Sequence, residues 1–134
     1  MEYTHYWRQQ RDFTDAEWDQ IKKAFGAIHE KSGVLLTGPS GEPNDPIICD
    51  DGRIEFNGVE DENNDHAHET FIVEKIKTSG FEFCKTACKP YDDVVTGLLL
   101  YIDHAAPGAM SISSDGNMSG VDWETGRNLF ESVK

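Results

Sequence analysis

Two stretches of the chain gather the residue types able to do chemistry. The first is FCKTACKPYDDVV, residues 83–95, where Cys84 and Cys88 stand four apart among Lys85, Lys89, Tyr91, Asp92 and Asp93. Two thiols so placed raise the question of a metal centre or a redox pair. A structural zinc site needs four ligands, usually as two spaced pairs. Here Cys49 is the only other cysteine, and no HxxxH pair exists. A redox pair more typically has two intervening residues. Pro90 then divides the stretch, because it fits the first position of a helix and turns Lys89 away from helical angles. Cys84 and Cys88 are therefore not expected to share a helix face, and no metal or cofactor is expected. Asp92 and Asp93 fall in the first turn of the following helix, where the dipole favours carboxylates.

The second stretch is EDENNDHAHETF, residues 60–71. Asp61, Asn63 and Asp65 alternate as in a calcium loop, but that loop needs Gly at its sixth position and Glu at its twelfth. His66 and Ile72 stand there instead. On a strand His66 and His68 would share a face, so with Asp61, Asp65 or Glu69 they remain candidate ligands for a divalent ion; a solvated acidic loop is the plainer reading. If the strand around 68–77 neighbours the segment 83–91, His68, Glu69, Lys85, Lys89 and Tyr91 line a small polar pocket, and a helix start beside two lysines is a place to hold an anion. No Ser-His-Asp signature, phosphate loop or dinucleotide fingerprint is present.

The elements that must position these residues are legible in part. In FTDAEWDQIKKAFGAIHEKSG, Thr14 and Glu17 form a capping box, and Phe13 and Trp18 take the staple positions. Trp18, Ile21, Phe25 and Ile28 recur at helical spacing, and Gly33 stops the run, which predicts a helix over 15–31. Short apolar runs at Val34–Leu36 and Ile47–Cys49 flank a Gly/Pro/Asn/Asp loop. RIEFNGV, ETFIVEKI and FEFC alternate, with Ile54, Phe56, Phe71, Val73, Phe81 and Phe83 predicted to face inward and a hairpin turn at 78–80. Val94, Val95, Leu98, Leu99 and Ile102 predict a buried helix over 91–105, ended by Pro107 and Gly108. MSISSDGN reads as strand and turn, and a last helix carries Trp123, Phe130 and Val133 on one face. The N-terminal aromatic and basic residues Tyr3, Tyr6, Trp7, Arg8 and Arg11 are expected to pack against the sheet or the first helix. The pattern predicts one α+β domain over 1–134, a mostly antiparallel sheet with about three helices packed on it.

Composition constrains partners. The 134 residues include 25 acidic and 12 basic ones, a net charge of −13. Such a surface repels nucleic acid and anionic membranes and suits a basic partner. Ten carboxylates and one base, Arg53, lie between Glu42 and Glu69. No apolar run approaches the ~20 residues a membrane span needs. The opening MEYTHYWRQQ lacks a secretory pattern, and three cysteines is an odd number, so a reduced, cytoplasmic protein is expected.

RDFTDAEW, IEFNG, HETF, FCKTACKPYDDVV and SISSDG together resemble a family of small uncharacterised proteins encoded by tailed bacteriophages and prophages, from about Arg11 to Phe130. That family's pattern has a basic residue where Cys88 stands, and NNDHAH before Glu69 looks like an insertion. The resemblance implies a viral accessory protein in the host cytoplasm and carries no catalytic assignment. With the acidic segment it leads to the expectation of a non-enzymatic protein that binds a host protein with a basic surface through Glu60, Asp61, Glu62, Asp65 and their neighbours, in one form as a DNA mimic. The alternatives are a small-ligand or nucleotide-binding protein using the polar pocket, perhaps a hydrolase, and a minor virion component.

Overall fold

A computed structural model describes residues 3–78 and 80–134. In chain order the elements are β1 (Thr4–Gln9), α1 (Asp15–Ser32), β2 (Leu36–Thr37), β3 (Ile48–Cys49), β4 (Arg53–Gly58), β5 (Phe71–Glu74), β6 (Phe81–Lys85), α2 (Asp92–Ala105), β7 (Met110–Ser114) and α3 (Glu124–Val133), with a 3-10 turn, Val121–Trp123, leading into α3. The fold is α+β and every strand pairing is antiparallel.

Local chemistry sets the helix ends. Glu17 N–H donates to Thr14 Oγ1 at 3.1 Å and Thr14 N–H to Glu17 Oε1 at 2.9 Å, the reciprocal capping box. The Phe13 and Trp18 rings meet at 5.7 Å, and Gly33 closes α1 with φ 66°, a value glycine adopts without penalty. One face of α1 buries Trp18, Ile21, Ala24, Phe25 and Ile28. Trp18, Ile21, Phe25 and Ile28 meet Val94, Val95, Leu98, Leu99 and Ile102 of α2 in one core.

Three features differ from the sequence pattern. The sheet is split in two: β1 lies between β6 and β7, while β4 carries β5 on one edge and the two-residue strands β3 and β2 on the other. The turn predicted at 78–80 contains Ser79, outside the described residues, and the strands on either side of it pair elsewhere. Secondly, Phe81 and Phe83 face outward, each 49% exposed, and Cys84 is buried. The register with β1 decides this. His5 and Trp7 are buried, and they stand opposite Cys84 and Glu82, so Tyr6 and Arg8 share the outer face with Phe83 and Phe81. Thirdly, α3 turns Gly126 and Leu129 inward, while Phe130 and Val133 are half-buried. A Cβ on Gly126 would lie 2.0 Å from Thr96 Oγ1, so glycine lets α3 sit directly on α2.

Candidate functional site

The N-terminal strand supplies the residue that organises the most polar part of the interior. Strand alternation turns His5 inward, where it is fully buried. Its Nδ1 lies 2.8 Å from Ser114 Oγ on β7, and its Nε2 lies 2.6 Å from Asp92 Oδ1 at the start of α2. Thr86 Oγ1 donates to the same Asp92 oxygen at 2.5 Å. A carboxylate only accepts, so a neutral His5 carries its proton on Nε2 and accepts at Nδ1 from the Ser114 hydroxyl. Ser114 Oγ in turn accepts from Gly116 N–H at 3.0 Å and Trp123 Nε1–H at 3.3 Å. The Tyr3 and Trp123 rings stand edge-on to the imidazole, both at 5.1 Å.

The link from β6 to α2 brings Asp92 there. Thr86 C=O accepts from Lys89 N–H at 3.0 Å, and between them Ala87 and Cys88 take φ 51° and 57°. Two consecutive non-glycine residues in the left-handed region cost roughly 1–2 kcal/mol each. The turn reverses the chain after the buried Thr86 and lets Pro90 start a new direction. Asp92 does stand at the helix start, as its position after Pro90 implies. Its partners His5 and Thr86 were not anticipated.

Serine hydroxyl to imidazole to carboxylate is the hydrogen-bond order of a nucleophilic relay. Its setting here is that of a structural tie. Ser114 Oγ is held by two donors besides its bond to His5, and the imidazole has no exposed surface. Shallow surface clefts lie elsewhere, against Tyr6 and Phe81, Ile72 and Glu82, Asp15 and Lys75, and Lys23 and Tyr101. The network joins β1, β7, the 86–89 turn and α2. Its members are 87 and 109 residues apart along the chain. The one available sequence signal was a histidine alternating with an inward Trp7.

The residues predicted as a polar pocket are brought together in part. Glu69 N–H donates to Lys85 C=O at 3.1 Å, and Lys85 N–H donates to Glu69 Oε1 at 2.7 Å. Tyr91 is fully buried, and its hydroxyl donates to Glu69 C=O at 2.6 Å. The Cys84 thiol lies 3.5 Å from the same carbonyl. Burial, then the Glu69 charge, pushes the Cys84 thiol up to about 12, and burial raises the Tyr91 phenol further still. These groups join the two sheets. His68 is clamped through its backbone by the Asn57 amide and leaves its side chain exposed. Lys89 Nζ reaches Asp65 Oδ2 at 3.1 Å. Cys49, Cys84 and Cys88 are all free thiols, and among the described residues no three His, Cys, Asp or Glu side chains converge as metal ligands.

The acidic stretch is an ordered hairpin. Glu60 and Asp65 form an antiparallel bridge, His66 N–H donates to Val59 C=O at 2.9 Å, and Glu60 N–H donates to Gly41 C=O at 2.8 Å. Asp61 Oδ1 closes the tip by accepting from the N–H groups of Asn63 and Asn64, both at 2.8 Å, and from the Asn64 amide at 3.0 Å. Those bonds, Asn63 first, hold its carboxyl below the ordinary range. Glu60, Asp61, Glu62 and Asp65 are exposed. Of the ten carboxylates from Glu42 to Glu69, Asp51, Glu55 and Asp65 pair with Lys22, Arg53 and Lys89.

Compared with family models, curated proteins and solved structures, the chain matches none of them. Among the described residues, no helix is long and apolar enough to cross a membrane.

Proposed function

We propose that the protein is a non-enzymatic binding module that docks its acidic face on a basic surface of a partner protein. The observation that carries this is the hairpin from Val59 to His66, which holds exposed carboxylates in fixed positions through main-chain and Asx-turn hydrogen bonds. Pre-ordering removes part of the entropy cost of binding, and a one-signed surface accelerates encounter with the opposite sign. The resemblance to phage-encoded proteins makes a host bacterial protein the expected partner. In the narrower form the carboxylates stand in for phosphates, which recur about every 1.7 Å along a duplex.

The test is affinity capture from bacterial lysate with the wild-type protein and a Glu60→Lys/Glu62→Lys variant, which spares the turn-forming Asp61. The expected result is a partner that is lost in the variant and eluted by moderate salt. Duplex DNA competes for it if the carboxylates mimic phosphates. Identical captures by both proteins, or no capture above an acidic control protein, overturn the proposal.

A further inference from the structure

The outer edge of β6 carries a second surface, separate from the acidic hairpin. Gln9 N–H donates to Gly80 C=O at 2.9 Å, so alternate residues of β6, Glu82 and Cys84, turn their main-chain groups toward Trp7 and His5 of β1. In an antiparallel ladder the intervening residues turn theirs the other way. Lys85 shows that direction, since both its N–H and its C=O bond to Glu69 on the far side. Phe81 and Phe83 therefore aim their N–H and C=O groups at that same edge, where no strand of the described residues pairs, because β5 pairs with β4. An open edge is a template for another chain, and proteins usually blunt it with proline, bulges, charged side chains or cover. Residues 81–83, FEF, carry no proline or bulge, and Glu69 covers only the Lys85 end. Glu82 is the one charge placed there, on the inner face opposite Trp7, where it discourages an acidic or apolar strand more than a basic one.

The side chains beside this edge select what adds to it. On the outer face Phe81 and Phe83 are half-exposed and their rings lie 6.3 Å apart. Tyr6 stacks on Phe81 at 6.2 Å, and the Arg8 guanidinium lies 5.5 Å from the Phe81 ring centre. On the inner side Glu82 and Glu74 line one cleft with Ile72 and Thr78, and the Glu69 carboxylate stands at the Lys85 end. An added strand sends alternate side chains to the two faces, so it meets aromatic rings on one face and carboxylates on the other. We infer that the free edge of β6 is a docking site for an extended partner segment whose residues alternate between apolar and basic. A second copy is disfavoured, because each chain carries −13 and pairing β6 with β6 brings the Glu82 carboxylates together, an arrangement that destabilises a ladder. The same net charge opposes a nucleic-acid strand on the aromatic face.

The probe is a fluorescein-labelled peptide of alternating valine and lysine, with two controls: the same peptide with lysine replaced by glutamate, and one N-methylated at alternate amides so that its edge-facing donors are lost. The lysine peptide is expected to bind and to protect the Phe81 and Phe83 amides from hydrogen exchange. Either control, and the Phe81→Lys/Phe83→Lys variant, is expected to lose about tenfold or more in affinity, the scale of one or two lost hydrogen bonds. At about 1 M salt, where long-range charge is screened to ~3 Å, Glu60→Lys/Glu62→Lys is expected to bind the peptide within about twofold of the wild type. That arm separates failure here from failure of the acidic-face reading. Unchanged affinity on N-methylation, exchange protection away from β6, absence of binding at millimolar peptide, or a dimer by light scattering that protects the same amides each overturns the proposal.

Discussion

The two faces of the sheet β6–β1–β7 use their polar groups in opposite ways. On the inner side His5, Thr86, Asp92 and Ser114 are buried or half-buried and hydrogen-bond to one another. On the outer face and at the β6 edge, phenylalanines and plain main-chain groups stand open. Residue types able to do chemistry are buried and tied to one another, while apolar side chains are exposed on β6. Burial decides this: an unpaired polar group inside costs free energy, whereas an open strand edge in water does not.

The largest expected effect is on the inner face. His5→Ala removes one of the two donors to the buried Asp92 Oδ1 and the acceptor of the Ser114 hydroxyl, so it is expected to lower unfolding stability by about 3 kcal/mol. Phe83→Lys on the other face of the same sheet is expected to stay within about 0.5 kcal/mol. Urea unfolding of both variants measures the contrast. Equal effects would erase the distinction between the faces.

Next in size is the contact between Tyr3 and Gly116. A Cβ on Gly116 would lie 1.9 Å from Tyr3 Oη and 2.8 Å from Cζ. Gly116→Ala is therefore expected to cost about 1–3 kcal/mol, the range for overpacking. Tyr3 Oη is buried and meets no partner at ordinary hydrogen-bond geometry among the described residues, although the Ser114 hydroxyl lies near enough to act on the phenol. Tyr3→Phe is therefore expected to change stability by no more than about 1 kcal/mol. In the double variant the ring carbon still crowds the new methyl, and only part of the loss returns. Full recovery would show that the hydroxyl alone made the clash.

Acid and alkali probe an exposed cap and the buried joint separately. The Arg11 guanidinium, then Thr14 N–H, lowers Glu17 from an ordinary 4.5 to about 2. A lowered folded value means that this contribution is complete above pH 4.5 and fades as pH falls toward 2. Removing the cap with Thr14→Ala is expected to cost about 1 kcal/mol at neutral pH. Cys84 is raised from 9.0 to about 12, so its contribution is complete below pH 9 and is lost as pH rises through 12. Chemical denaturation across pH should show the acid limb flattened in Glu17→Gln and the alkaline limb flattened in Cys84→Ala.

What was legible in the sequence is what local chemistry determines. Thr14, Glu17, Phe13, Trp18 and Gly33 specify α1 within a few residues, and Pro90 correctly separated Cys88 from α2. The side of β6 that faces inward was misread, because FEFCK allows either face and only its register with β1 chooses. His5, Ser114 and Asp92 escaped notice because strand pairing, with no sequence motif to mark it, brings them together. The acidic stretch was visible as composition. Its hairpin is encoded in Asp61 and the following asparagines, whose spacing by itself suggests only a calcium loop lacking its Gly and Glu.

The smallest stability effect is expected at the hairpin tip, and it tests the division most finely. Glu62 is exposed and makes no hydrogen bond or ion pair among the described residues. Asp61, one residue away, accepts three hydrogen bonds that form the turn. Glu62→Lys should therefore change unfolding stability by less than about 0.5 kcal/mol while weakening capture of a basic partner. Asp61→Ala removes the turn's acceptor and should cost about 1 kcal/mol, and its amide-exchange loss should be confined to residues 60–66. If both variants weaken binding equally, the order of the hairpin matters as much as its charge. If only Glu62→Lys does, charge alone recognises the partner.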